Sequence, residues 1–117
     1  MSQIRLSERL KALANPIRLR ALGLLLSVDE PVCVCELADA LGIPEYKVSR
    51  HLSALKAAGF VAGEHRGPWV YYEPVPSDLL EALEPFLTPA PDDLVRLKDR
   101  MGKRQGGVCV IGPQGGR

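Results

Sequence analysis

The chain has 117 residues, of which 46% are hydrophobic, and a formal net charge of +1. This length suits one domain with a modest core, and the apolar content excludes a disordered chain. No apolar run approaches the roughly 20 residues that a membrane span needs. The first residues, MSQIRLSERLKALANP, contain no apolar signal segment, so we expect a cytoplasmic protein without membrane association.

The charges are distributed unevenly along the chain. Residues 1–26 carry five basic side chains against one acid, and residues 44–66 carry four against two. Residues 76–100 carry six acids against three bases. Because phosphate contacts are local, basic segments in the first part of the chain and an acidic segment near its end suit a DNA-binding protein. Ordinary scattered surface charge is the alternative, and the counts alone do not decide between the two.

The first half of the chain has the spacing of four helices. A helix over 3–14 ends at Asn15 and Pro16, and a second over 16–27 is apolar around most of its surface, which predicts a buried central helix. A short helix over 33–41 ends at Gly42. A longer one over 44–58 begins near Pro44 and ends at Gly59, since glycine commonly terminates helices and proline suits their first turn.

The second half begins with a hairpin. Residues 60–64 and 69–73 are rich in aromatic and β-branched residues, with a turn at 66–68, and helices over 77–87 and 92–104 follow. This order predicts a mainly α (α+β) fold, a winged helix-turn-helix of five or six helices with a two-stranded β-hairpin wing. We expect one DNA-binding and dimerisation domain over 1–104, and a flexible glycine-rich tail over 105–117 that carries Cys109.

The helix over 44–58 has one apolar stripe, formed by Val48, Leu52 and Leu55. Side chains that point away from this stripe suit the major groove, because arginine can hold guanine by two hydrogen bonds, serine can contact a base or a phosphate, and lysine neutralises phosphate. A solvated helix face is the alternative. His51 flanks the stripe, which favours a packing role. The predicted DNA contacts are Tyr46, Lys47, Ser49, Arg50 and Ser53, with Arg66 at the hairpin tip.

Cys33 and Cys35 stand together at the predicted start of the helix over 33–41. In a regular helix these side chains diverge by about 200°, whereas an unwound first turn would let both face one ion. A helix N-terminus favours the thiolate, and thiolates select soft metal ions. We expect metal binding to draw the two sulfurs together and to distort the helix over 33–41. Because that helix packs against the DNA-contacting helix over 44–58, ligand binding would change the affinity for DNA. Two small buried hydrophobic residues are the alternative.

These residues resemble a known family. The run PVCVCELADALGIPEYKVSRHLSALKAAGFVA, residues 31–62, looks like the metal-sensing segment of ArsR/SmtB repressors, and its "CVCEL" and "VSRHLSALKAAGFV" are similar to the arsenical-resistance branch. The following GEHRGPWVYYEP looks like that family's wing, and the resemblance covers residues 4–87. It implies a non-enzymatic homodimer, formed by the first and last helices, that binds an inverted-repeat operator and is released when As(III) or Sb(III) binds Cys33 and Cys35.

The chain departs from the family's arsenic motif at one position. The resemblance implies a third cysteine three residues after the second, where this chain has Ala38. Cys109 is the remaining sulfur, and it is either a third ligand, from its own or the partner subunit, or an unrelated thiol. Zinc sensing in the family uses histidines and carboxylates on the last helix. Because Asp92, Asp93 and Asp99 have no histidine beside them, zinc is disfavoured.

Three alternative functions follow from the same residues. The cysteines, including Cys109, could form a redox switch on the same fold. A small thiol-dependent reductase would need a base or an anion-binding loop near the cysteines, and the sequence shows neither. A winged helix that binds a protein rather than DNA is the third alternative.

Overall fold

A computed structural model of the chain describes residues 5–104. In this part of the chain, six α-helices and three strands form a mainly helical winged helix-turn-helix, as predicted. No helix in it combines the length and hydropathy needed to cross a membrane. The elements are α1 (Leu6–Leu13), α2 (Pro16–Leu26), β1 (Val32–Cys33), α3 (Val34–Leu41), α4 (Glu45–Ala57), β2 (Val61–Arg66), β3 (Trp69–Pro74), α5 (Asp78–Leu83) and α6 (Pro91–Met101).

The α2 helix is the buried centre of the fold. Its start is fixed by Asn15, whose side-chain oxygen accepts hydrogen bonds from the backbone N–H groups of Ile17 and Arg18 at 2.9 and 3.1 Å. Pro16 occupies the first helical position, where its missing N–H costs nothing. Leu22, Leu24 and Leu25 are almost completely buried, which confirms the central position predicted for this helix.

The α3 and α4 helices form the helix-turn-helix. Gly42 ends α3 in the left-handed conformation, with φ of 71°, which only glycine adopts at little cost. Val48, Leu52 and Leu55 are buried, so the predicted stripe on α4 faces the core. The opposite side of α4 is therefore the side presented to solvent.

The sheet has three strands in the order β1-β3-β2, rather than the two that the sequence predicts. The wing hairpin pairs Arg66 with Trp69 across a turn at Gly67, whose φ is 62°. The additional strand, β1, pairs antiparallel with β3 and sets Cys33 opposite Tyr71. A strand of two residues is too short to show a side-chain alternation, so this strand could not be predicted from the hydrophobic pattern.

The two faces of this sheet belong to different hydrophobic clusters. Val32, Val61 and Tyr72 lie on the face that contributes to the main core. Successive strand residues point to opposite faces, so Cys33 and Tyr71 lie on the other side. There they form a second, smaller cluster with Cys35, against which the half-buried Trp69 packs.

The predicted helix over 77–87 is interrupted. The α5 helix begins at Ser77, whose hydroxyl accepts a hydrogen bond from the backbone N–H of Leu80 at 3.1 Å, and it ends at Leu83. A 3-10 turn over Glu84–Phe86 follows. Pro85 has no N–H to continue the helical hydrogen bonds, which accounts for the change. Phe86, in this turn, is 83% exposed.

The α6 helix is bound along α3 by three arginines spaced four residues apart. Arg96 donates to the carbonyl oxygen of Ala40 at 2.9 Å, and Arg100 donates to the carboxylate of Asp39 at 2.6 Å. Arg104, just beyond the end of α6, donates to Glu36. Arg96 and Arg100, four residues apart, share one face of α6, and Arg104 continues the contacts past the end of the helix, so together they hold this part of the chain along α3.

Candidate nucleic-acid interface and thiol site

The outer face of α4 presents the predicted DNA contacts within the first turns of the helix. Tyr46, Lys47, Arg50 and Ser53 are exposed, and Ser49 is half-buried. An arginine, a lysine and three hydroxyl groups on an exposed helix face are suited to base edges and phosphates. The structure thus brings five of the six predicted contacts onto one helix face.

His51 lies at the edge of this face and is a packing residue. Arg18 of α2 donates from Nε to His51 Nδ1 at 3.1 Å, which ties α4 to the central helix. Partial burial, followed by the charges of Arg18 and Arg50, lowers the pKa of His51. The neutral form, which accepts this hydrogen bond at Nδ1, is therefore favoured.

The basic residues of the N-terminal segment are largely engaged within the protein. Arg9 donates to the carbonyl oxygen of Ala58 at 3.1 Å, and its guanidinium lies over the ring of Phe60. Arg18 binds His51, and Arg20 binds Asp93. The charge count of residues 1–26 therefore overstates the cationic surface, because three of its five basic residues hold the fold together.

Arg66, the sixth predicted contact, stands at the end of β2, on the wing. Its Nε donates to the Glu64 carboxylate at 2.6 Å, and this hydrogen bond raises the pKa of Arg66. The guanidinium carbon also lies 4.7 Å from the centre of the Tyr71 ring, within cation–π distance. With 42% of its side chain exposed, Arg66 is anchored to the wing and still accessible from solvent.

The two cysteine sulfurs are in contact, with a distance of 3.0 Å between Cys33 Sγ and Cys35 Sγ. Cys33 precedes α3 with extended backbone angles, φ −70° and ψ 144°, whereas Cys35 lies in the first helical turn. Because Cys33 lies outside the helix and Cys35 inside it, the angle of about 200° between side chains two residues apart in a helix does not apply. The sulfurs meet in this arrangement without unwinding of α3, and the expectation that a ligand draws them together stays a prediction.

Glu36 and Arg104 hold the backbone of this pair, and neither was predicted from the sequence. The Glu36 carboxylate, with 0% exposure, accepts from the backbone N–H of Cys33 at 2.9 Å, and Arg104 donates to it at 2.6 and 2.5 Å. Glu36 follows Cys33 by three residues, the spacing of a capping box, and this signal was available. No local sequence pattern indicates Arg104, because 68 positions separate it from Glu36.

Tyr71 closes the thiol site. Its buried ring belongs to the same cluster as the two cysteines, whose exposures are 1% and 0%. The Arg104 guanidinium lies 5.6 Å from the ring centre. A ligand that reaches the sulfurs must therefore displace one of the side chains packed over them.

The other residues considered as metal ligands are the carboxylates of α6 and Cys109. Within residues 5–104, no group of three histidine, cysteine, aspartate or glutamate side chains converges to hold a metal ion. Asp93 accepts hydrogen bonds from Arg20 at 2.9 and 3.0 Å and from Arg96 at 2.7 Å. The bond from Arg20 is the main reason that the pKa of Asp93 is lowered. Cys109 lies outside the described residues.

Comparison with known proteins decides the family. A family model described as "Bacterial regulatory protein, arsR family" matches residues 15–62, which span α2 to the start of β2. The arsenic resistance transcriptional regulator ArsR1 of Pseudomonas putida is 36% identical over 104 residues, covering 80% of this chain and 77% of the relative. The chain belongs to the ArsR family.

Two further ArsR-family relatives carry similar names. The arsenic resistance transcriptional regulator ArsR2 of Pseudomonas putida is 37% identical over 100 residues, covering 80% of this chain and 86% of the relative. The arsenical resistance operon repressor of Escherichia coli is 42% identical over 62 residues, about half of each chain. Membership in the ArsR family makes this protein a DNA-binding transcriptional regulator, which sets the reductase and the protein-binding alternatives aside.

Proposed function

We propose that this ArsR-family protein is a homodimeric repressor that leaves its operator when As(III) or Sb(III) binds Cys33 and Cys35. The observation that carries the proposal is the 3.0 Å contact between the two sulfurs at the start of the first helix of the helix-turn-helix. Two thiolates bound to one ion at about 2.3 Å each, as in zinc sites, lie no more than about 4.6 Å apart. The pair therefore suits a single thiophilic ion, and the similarity to arsenic and arsenical resistance regulators favours an arsenical.

Cys109 is the proposed third sulfur, from its own or the partner subunit. As(III) commonly takes three sulfur ligands, and Ala38 replaces the cysteine that the resemblance implies. Arg104 touches Glu36 and Tyr71 beside the thiols, so the chain enters its last segment next to the site. Five residues of extended chain reach at most about 18 Å, which is sufficient for this return.

The operator would be bound by α4 in the major groove and by the wing alongside it. Tyr46, Lys47, Ser49, Arg50 and Ser53 supply the base and phosphate contacts, and Arg66 contacts a phosphate or the minor groove. Two copies related by a twofold axis would place their α4 helices in grooves about one helical turn apart. This arrangement requires an inverted-repeat operator.

Exposed apolar side chains on α1 and α6 support the dimer. Leu6 and Leu10, four residues apart on α1, are exposed, as is Val95 on α6. Exposed leucines along one helix face are typical of an interface with a second copy. Sedimentation tests this assignment: Leu10→Glu should shift the protein toward monomer, and Ser7→Glu on the same helix should not. A Leu10→Glu variant that remains fully dimeric would place the interface elsewhere.

The function is tested by release from DNA. A duplex selected from a random pool by the wild-type protein is labelled, and the anisotropy of the complex is followed while arsenite, or antimonite in a parallel series, is added. We expect wild type to be released and both Cys33→Ser and Cys35→Ser to stay bound. Cys109→Ser tests the third ligand separately: retained DNA binding would support Cys109 as a ligand, and normal release would remove it from the ligand set. If both Cys33→Ser and Cys35→Ser were released normally, the proposed function would be wrong.

The sulfur contact also favours a second function, a thiol redox sensor. A peroxide would accept two electrons from the pair, a Cys33–Cys35 bond would form, and the two thiol protons would leave in water. Mass spectrometry after mild peroxide treatment, together with the anisotropy assay, separates the two functions. A disulfide with loss of DNA binding and no response to arsenite would favour the redox sensor.

A further inference from the structure

The sheet register places the thiols on the same side of the wing as Arg66, the predicted DNA contact of the hairpin. Cys33 is opposite Tyr71 across the β1–β3 pair, and Glu64 is opposite Tyr71 across the β2–β3 pair. Arg66, two residues after Glu64, points to the same face. This is the face turned away from the main core, so the thiols and Arg66 share one side of a three-stranded sheet.

Tyr71 is the neighbour that the two have in common. Its ring packs with Cys33 and Cys35, and the Arg66 guanidinium lies 4.7 Å from the ring centre. Glu64 holds the same guanidinium through the 2.6 Å hydrogen bond to its Nε. A displacement of the Tyr71 ring therefore removes one of the two contacts that place Arg66.

A cleft beside Tyr71 gives a ligand its approach. It has a volume of about 150 Å³ and is lined in part by Pro31, Glu64, Arg66 and Tyr71. One water needs about 10–15 Å³ of such space, so the cleft holds a small neutral hydroxide such as As(OH)₃. Because the thiols are buried, a ligand that enters from this cleft reaches the sulfurs by moving the Tyr71 ring.

We propose that Tyr71 is the positioning residue that couples the cysteine pair to the wing, and that Arg66 is the residue through which occupancy of the thiols reduces DNA affinity. This rests on the proposed function, in which ligation of Cys33 and Cys35 releases the operator. When As(OH)₃ reacts, two S–As bonds form, two As–OH bonds break, and the two hydroxides leave as water with the thiol protons. The bound arsenic displaces the Tyr71 ring, and Arg66 loses its placement against the DNA backbone. By linkage, DNA that holds Arg66 in place weakens binding of the ion by the same factor.

The test is a coupling ratio, the Kd for the selected duplex with saturating arsenite divided by the Kd without it. Arg66→Gln and Tyr71→Leu should lower this ratio at least threefold below that of wild type. Lys47→Gln is the matched control, because it also removes one exposed cation but lies on α4, away from the thiols. It should weaken DNA binding with and without arsenite alike, and leave the ratio unchanged. Arg66 is exposed, so its variant carries the test even if Tyr71→Leu does not fold.

The outcomes separate this inference from the function on which it rests. A wild-type ratio of one would mean that arsenite does not release DNA, which is a failure of the proposed function. A normal wild-type ratio that Arg66→Gln retains would overturn the inference alone, as would an equal fall in Lys47→Gln. Bound arsenic per subunit is measured by elemental analysis after desalting, and an Arg66→Gln variant that no longer binds arsenite would also overturn it.

Discussion

Arg104 and Glu36 form a two-point ion pair that closes the N-terminal end of α3. Nε of Arg104 lies 2.6 Å from one carboxylate oxygen and a terminal nitrogen lies 2.5 Å from the other, and both side chains are almost completely buried. Arg104 also donates to the carbonyl oxygen of Pro31 at 2.9 Å. The pair therefore joins Arg104, in the segment after α6, to the backbone that carries Cys33.

Breaking this pair should destabilise the protein. Arg104→Ala leaves the Glu36 carboxylate buried without its cation, which typically costs about 3–5 kcal/mol. Glu36→Gln should cost less, because the neutral amide keeps an oxygen that can accept from the Cys33 N–H. Urea denaturation measures both, and an unchanged midpoint for Arg104→Ala would contradict the contribution assigned to the pair.

Gly23 should not tolerate alanine, although it lies within α2. In an exposed helix, glycine to alanine stabilises by about 1 kcal/mol. Here a Cβ atom would meet the carbonyl oxygen of Leu87 at 2.5 Å, and backbone cannot move aside cheaply. We expect Gly23→Ala to lower the free energy of unfolding by about 1–3 kcal/mol, as overpacked sites do. Gly102→Ala, where the nearest atom is at 3.3 Å, should change it far less, and a stabilised Gly23→Ala would show that this contact relaxes.

Arg50 should contribute to sequence recognition as well as to affinity. A bidentate arginine–guanine contact is worth about 1–3 kcal/mol of discrimination, so Arg50→Ala should weaken binding to the selected duplex more than binding to random DNA. Lys56→Ala, an exposed change near the far end of α4, is the control and should change neither. Anisotropy titrations at several salt concentrations measure these effects. Unchanged affinity in Arg50→Ala would remove this side chain from the interface.

His51 should make the folded state sensitive to mild acid. Its pKa is lowered in the folded protein by burial first and then by Arg18 and Arg50, while the unfolded chain keeps the ordinary value near 6.5. Below that pH the unfolded state binds more protons, so stability falls as pH decreases through 6.5 toward the folded pKa, and no effect is expected above it. His51→Gln keeps an acceptor for Arg18 and should lose less stability between pH 7 and 5 in urea titrations. Parallel pH curves for the two proteins would rule this contribution out.

The helices were largely predictable because their signals are local. The proline at the start of α2, the glycine at the end of α3 and the apolar stripe of α4 each lie within the element that they define. Boundaries moved by one to three residues, for example at α6, predicted over 92–104 and observed at Pro91–Met101. The interruption after Leu83 was also visible in the sequence as Pro85.

The arrangement around the thiols was not predictable, since it depends on contacts between distant residues. The β1 strand exists because two residues pair with β3, about 40 positions along the chain. The sulfurs meet because that pairing keeps Cys33 extended while Cys35 begins the helix. Tyr71 and Arg104 reach the site from the wing and from the end of α6. The residue types indicated soft-ion chemistry, but the spacing alone implied diverging side chains.

The wing sheet separates the main core, on one face, from the thiols, on the other. If the thiols bind the inducer as proposed, residues around them can change without disturbing the leucines of α2 and α4, which belong to the other cluster. On the proposed function, this division lets substitutions around β1 and β3 change the ligand while the fold and the DNA-binding helix stay the same.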